Sequence, residues 1–171
     1  MVITYTALTL CSLFAVAVGV GCPNGFIPHK ASCHAAIRQL ATWAEAREYC
    51  AAVGAGLSHV ETVEEQHYLE GLVKSVRGNY WLGGFDQLEE NIWIWDTNRT
   101  RIETFFWYPG KPNGGPSHNC LYMERQYHYK WSDYTCGSRM YFVCERPAQV
   151  VKHTVKNVFI TVTQGTNPAE G

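Results

Sequence analysis

Cysteine placement constrains this chain more than any other feature. Of seven cysteines, Cys11 lies in an uncharged apolar leader, and Cys22, Cys33, Cys50, Cys120, Cys136 and Cys144 follow it. An even set of this kind behind such a leader reads as three disulfides formed in an oxidising compartment. Many pairings are open in principle. Cys22 and Cys33 flank a short turn-rich segment and can close a small hairpin. Cys120 and Cys136 bracket a candidate strand pair and can also join locally, which leaves Cys50 for Cys144 in a bridge around nearly the whole domain. No Cys-x-x-Cys occurs, so a zinc ribbon or a thioredoxin-type redox site is not indicated.

Residues 1–21 carry no charged side chain and place Ala17, Gly19 and Gly21 where a signal peptidase needs small residues. They read as a secretory signal peptide, although no Lys or Arg follows Met1. The competing reading is an uncleaved membrane anchor, because about 20 apolar residues can span a bilayer. Cleavage would leave a secreted, extracellular chain with no membrane segment. The full 171 residues suffice for one domain with a substantial core. A formal net charge of -1, with Lys and Arg scattered rather than in runs, gives no case for nucleic acid.

Two helices are predicted from capping boxes. Thr42-x-x-Glu45 opens the first, with Trp43, Ala46, Cys50 and Val53 on one face and Gly54 and Gly56 at its end. Thr62-x-x-Glu65 opens the second, whose apolar face is Leu69, Leu72, Val73 and Val76, with Gly78 as its stop. Beyond Gly78 the pattern turns strand-like at Tyr80–Gly83, Ile92–Trp95, Cys120–Met123 and Met140–Cys144. Between Trp107 and Cys120, the residues Pro109, Gly110, Pro112, Gly114, Gly115 and Pro116 exclude regular structure. Such a long loop in a compact domain is a functional candidate. The order of elements indicates an α+β fold. Residues 148–171 are β-branched and then polar, compatible with an edge strand, a homo-oligomer contact or a tail.

Several residues together resemble the long form of the C-type lectin-like domain, over residues 22–147. They are Cys22-Pro-Asn-Gly-Phe26, Trp43 with Ala44, Ala46 and Cys50, Trp81-Leu-Gly-Gly84, Trp95, the Trp107–Asn113 loop, Trp131-Ser-Asp133, Cys136 and Phe142-Val-Cys-Glu145. The resemblance implies two helices packed on small antiparallel sheets, a long ligand-binding loop, and the three disulfides paired as above. It also implies glycan binding through a loop calcium ion, with glycans or glycoproteins of microbial or matrix origin as partners.

Calcium takes six to eight oxygen ligands, several of them carboxylates. At the ligand positions implied by the resemblance this chain carries Lys111, Asn113, His118, Ser132 and Asp133. An ammonium has no lone pair to offer a cation. Only Asn113 and Asp133 remain as calcium candidates, and Asp86 and Glu90 match part of an accessory site. The expected ligand-binding set is therefore Lys111, Asn113, His118, Ser132 and Asp133: Lys111 takes the calcium position and pairs with Asp133, leaving Asn113, His118 and Ser132 to hydrogen-bond sugar hydroxyls, with Tyr127–Lys130 beside them as an aromatic platform. The alternative is a sugar-independent protein- or mineral-binding module on the same fold. No catalytic motif occurs among the seven histidines or elsewhere, so an enzyme is not expected. Asn98-Arg-Thr100 is an N-glycosylation sequon.

Overall fold

A computed structural model describes residues 15–155, with side chains described over residues 21–149. The first strand, β1 (Ala15–Gly21), falls within the expected signal peptide, whose first 14 residues lie outside the described part. Next come β2 (Ile27–His29), β3 (Ser32–Ala41), α1 (Trp43–Ala52), β4 (Gly56–Leu57) and α2 (Val63–Lys74). The second half contains β5 (Tyr80–Phe85), β6 (Ile94–Trp95), β7 (Cys120–Glu124), β8 (Lys130–Tyr134), β9 (Met140–Pro147) and β10 (Gln149–Val155). The extension thus begins as a strand, and β10 pairs antiparallel with β1 from Ala15↔Val155 to Gly21↔Gln149.

The main sheet runs β2-β3-β9-β5-β7-β8, with β4 added on β9 and β6 on β5. It is mixed rather than antiparallel as expected, because β5 runs parallel to β9 at Tyr80↔Tyr141 and Trp81↔Phe142. A parallel pair requires a long crossover. Here the chain between the two strands supplies the long loop and the β7–β8 hairpin.

The central strands are buried on both faces, so alternate residues enter two different cores. Tyr80 and Leu82 of β5, Leu121 and Met123 of β7, and Val143 of β9 join Leu69 and Val73 of α2. Trp81 and Phe85 of β5, Tyr122 of β7, and Phe142 and Cys144 of β9 join Trp43, Ala46 and Cys50 of α1. This two-sided burial explains why Tyr80–Phe85 shows no polar alternation. Gly83 is dictated by a close approach, since a Cβ there would lie 3.0 Å from the Leu57 carbonyl oxygen. Its N–H instead donates to Ser58 O at 2.8 Å. The Trp43 indole donates to Leu82 O at 2.8 Å, tying α1 to β5, and the Trp81 indole donates to Ala41 O at 3.0 Å, tying β5 to the end of β3.

Both helices start as their capping boxes require, with reciprocal bonds between Thr42 and Glu45 and between Thr62 and Glu65. Their ends differ from expectation. Val53 is the C-cap of α1 and is exposed rather than packed. Helix α2 stops at Lys74, ahead of Gly78, whose missing Cβ leaves room for the Tyr141 ring. The pairings Cys22–Cys33, Cys50–Cys144 and Cys120–Cys136 are all present. Among the described residues no helix is long and apolar enough to cross a membrane.

Candidate functional site

The long loop is anchored before it departs. Trp107 bridges to Trp131 in parallel, and the Tyr108 N–H donates to Trp131 O at 2.9 Å, so the loop leaves along the flank of β8. A turn at Gly110, with φ +86°, returns the chain through a bond from Lys111 N to Tyr108 O at 2.9 Å. The Lys111–Pro112 peptide is cis. A 3-10 turn over Gly115–Ser117 then brings the chain back to β7.

Asp133 organises this loop from below. Its carboxylate is 1% exposed and accepts the Asn113 N–H at 3.0 and 3.1 Å and the Gly114 N–H at 2.6 Å. Lys111 Nζ donates to Asn113 Oδ1 at 2.9 Å and lies 3.9 Å from Asp133 Oδ1. His118 Nδ1 approaches from the other side, 3.8 Å from Asp133 Oδ2, too far for a hydrogen bond and without another partner. The imidazole folds over Gly114 so closely that a Cβ at that position would overlap it. One buried anion is thus flanked by an ammonium and an imidazole, with two backbone N–H groups directed at it.

Four of the five expected site residues therefore meet: Lys111, Asn113, His118 and Asp133. Asn113 is exposed, while Lys111 and His118 are partly exposed. Ser132 does not join them at the surface. It is fully buried, and its hydroxyl donates to Glu124 Oε2 at 2.7 Å, as does Tyr122 from the facing strand. Burial, reinforced by the bond to Glu124, pushes the Tyr122 phenol up from its ordinary range. Ser132 supports the hairpin and has no free face for a ligand.

The expected aromatic platform also changes. Tyr127 lies flat on Tyr108, with centroids 3.7 Å apart, so one of its faces is taken, and Tyr129 is 7% exposed and offers no open ring. An exposed ring beside the site is Tyr134, which packs against His118 at 4.9 Å between centroids. No periodic pattern marks Tyr134 in the sequence, and its only signal is adjacency to Asp133.

The donor set does not fit calcium. The single carboxylate is committed to backbone N–H groups, the Asn113 carbonyl oxygen is taken by an ammonium, and that ammonium lies where a cation would be repelled. Among the described residues no three His, Cys, Asp or Glu side chains are arranged to hold a metal. At the accessory position Asp86 is buried, accepts Asn91 N–H through Oδ2 at 3.0 Å, and leaves Oδ1 without a partner. Burial, with the Glu90 and Asp133 charges adding to it, pushes its carboxyl above the ordinary range. Glu90 is exposed.

The sequon lies elsewhere, with Asn98 exposed in the turn after β6. Its Oδ1 accepts the Thr100 hydroxyl at 2.7 Å and the Thr100 N–H at 3.1 Å. It lines a cavity of about 430 Å³ together with His59, Glu145 and Arg146.

Known proteins share this fold. The family model for the Lectin C-type domain matches residues 39–146, and the chain belongs to that family. It is 33% identical to perlucin of Haliotis laevigata over 130 residues, covering 74% of this chain and 83% of that one. Among solved structures, a calcium-independent type II antifreeze protein superposes with a TM-score of 0.71 at 28% identity, covering 77% of this chain and 98% of the other. The carbohydrate-recognition domain of cow CD23, solved in the presence of a GlcNAc2Man3 oligosaccharide, superposes with a TM-score of 0.69 at 29% identity, covering 77% and 99%.

Proposed function

We propose that this protein is a secreted lectin that binds carbohydrate on the face formed by Lys111, Asn113 and His118, with no requirement for calcium. The observation that carries the reading is the Lys111 ammonium, held 2.9 Å from Asn113 Oδ1 and 3.9 Å from the buried Asp133 carboxylate. A fixed positive charge there takes the electrostatic role a bound cation would have. The remaining N–H bonds of the ammonium donate to sugar hydroxyls, and Asn113 Nδ2 donates beside them. Tyr134 covers an apolar sugar face. Asp133 acts from beneath by holding the loop, and Ser132 by supporting the hairpin that carries Asp133. Glycans or glycoproteins are the partners this face suits, and microbial and matrix glycans are the sources to screen first.

The test is a glycan array read with and without chelator. Binding is expected to persist in chelator and to weaken about tenfold in Lys111→Ala, the loss of a hydrogen bond from a charged donor. Binding abolished by chelator would overturn the metal-free site, and binding to no glycan would overturn the lectin reading. The second reading, a sugar-independent protein- or mineral-binding surface, is supported by the likeness to the calcium-independent antifreeze protein. Exposed Leu88 and Phe105 give such a surface apolar contacts.

Secretion implies cleavage near Gly21, which would remove β1 and free the β10 edge for contact with a second copy. It also implies a glycan on Asn98, which is exposed and has the Thr100 hydroxyl already against its carboxamide. Intact mass of the protein secreted from eukaryotic cells should show an N-terminus near Cys22 and a glycosidase-sensitive increment lost in Asn98→Gln. A retained leader or an unmodified mass would count against both.

A further inference from the structure

Arg125 is far from Lys74 and Arg77 in sequence, and no run of basic residues announces the three, yet the fold collects them at one place. They line an open cleft of about 670 Å³ between the C-terminal end of α2 and the β7–β8 turn, together with His67 and His128. All five are exposed. Among the described residues none of the three cations has a carboxylate within 4.0 Å, whereas Lys30, Arg47, Arg99, Lys111, Lys130 and Arg139 all do.

The carboxylate lining the cleft, Glu70, and that of Glu124, next to Arg125 in the chain, are already engaged. Glu70 accepts Lys130 Nζ at 3.1 Å and Gln66 Nε2 at 2.9 Å through the same oxygen. Glu124 accepts the hydroxyls of Tyr122 and Ser132. Three uncompensated cations in one concavity are a marked local excess in a chain of formal net charge -1.

The walls of the cleft are fixed to each other. Asn79 Oδ1 accepts the Arg125 N–H at 3.0 Å, which brings the β7–β8 turn against the segment carrying Arg77. Gln66, fully buried on α2, donates to Tyr129 O at 3.0 Å and accepts the Trp131 indole N–H at 2.8 Å. The turn itself holds His128 and Tyr129 at φ +54° and +64°, a conformation that side-chain-bearing residues seldom adopt and that presents His128 outward. The cleft lies at the end of the β7–β8 hairpin where Glu124 pairs with Lys130. The Asp133 loop site lies toward the opposite end, where Cys120 pairs with Tyr134.

We propose that this cleft binds a polyanionic polysaccharide bearing sulfate esters, as a second site independent of the loop face. Guanidinium groups pair with tetrahedral oxyanions through two parallel N–H bonds, and two of the three cations are arginines. No open Tyr, Phe or Trp ring lines the cleft for stacking a nucleobase, because Tyr129 is buried. No large apolar side chain projects from it to enter a bilayer. The three disulfides match the oxidising compartments in which sulfated polysaccharides occur.

The test uses the full chain and heparin as probe, with chemically desulfated heparin, polyphosphate and phosphatidylserine vesicles as parallel arms. Heparin is expected to bind and desulfated heparin not to bind. Arg77→Ser/Arg125→Ser should bind heparin about tenfold more weakly, with the salt dependence of log K shallower by about 2. The charge-matched control Arg101→Ser/Arg139→Ser and the loop variant Lys111→Ala should bind as the unaltered chain does, so failure of the loop site leaves this result readable. In the unaltered chain heparin should protect amides of residues 74–79 and 125–129 from exchange, a readout that does not depend on any variant folding. Equal losses in the two double variants, protection elsewhere, no heparin binding, or binding to vesicles or polyphosphate alone would each overturn the assignment.

Discussion

The Cys50→Ala/Cys144→Ala variant is expected to lose about 4–5 kcal/mol of unfolding free energy, most of what a domain of this size has to lose. The two residues are 94 apart in sequence, so their bridge restricts the unfolded chain more than those of Cys22–Cys33 and Cys120–Cys136, which span 11 and 16. On the loop-entropy model the shorter bridges are worth about 3 kcal/mol each. Position adds to the difference. Cys50 and Cys144 are fully buried in the core beneath α1, between Leu57 and Phe142, so removing two sulfurs also loosens packing. Denaturant unfolding of the three paired variants is the measurement. The long-bridge variant should have the lowest midpoint and a steeper denaturant dependence, because its unfolded state is less compact. A loss no larger than that of either short bridge would mean that packing on α1, not chain restriction, sets the stability of this core.

The disulfide frame and both helix starts were readable because each depends on residues close in sequence or on counting. Thr42 with Glu45 and Thr62 with Glu65 make their reciprocal bonds regardless of tertiary context. Strand β3 was not readable. Its run Ala35-Ala36-Ile37-Arg38-Gln39-Leu40 lacks strand-favouring composition except at Ile37, and it is extended because Ser32–Ile37 pairs with β9. The parallel β5–β9 pair was also hidden, since nothing local distinguishes a two-sided buried strand in a parallel pair from one in an antiparallel pair.

The site divides in the same way. The positions Lys111, Asn113, His118 and Asp133 came from the resemblance to the C-type lectin-like domain, aligned on Pro112 and Trp131. The burial of Ser132 against Glu124 depends on which face of the β7–β8 hairpin is inside, and the Tyr108–Tyr127 stack depends on how the loop departs. Arg125 shows the limit most clearly, because only folding brings it beside Lys74 and Arg77.

Asp133→Ala is expected to release the loop rather than unfold the domain. The substitution strands the N–H groups of Asn113 and Gly114 and removes the anion opposite Lys111 and His118, at a cost of about 3 kcal/mol. Most of that should appear as local opening. The loop is held to the body chiefly by these bonds and by the Tyr108–Trp131 pairing, while the cores of α1 and α2 do not include it. Amides 113 and 114 should therefore lose about a hundredfold in exchange protection, with the global unfolding midpoint shifted by much less. Asp133→Asn separates charge from shape: its carbonyl oxygen can keep one N–H bond, but it lacks the charge that complements Lys111. Protection should fall between the other two forms. Glycan binding should fall in both variants as the loop opens, whereas heparin binding at the Lys74–Arg77–Arg125 cleft should be unchanged. Unaltered protection at Asn113 and Gly114 in Asp133→Ala would show that Pro112 and the 115–117 turn hold the loop without the carboxylate. The case for a lysine ammonium fixed by Asp133 would then fail, because the charge it was meant to face would have no part in the geometry.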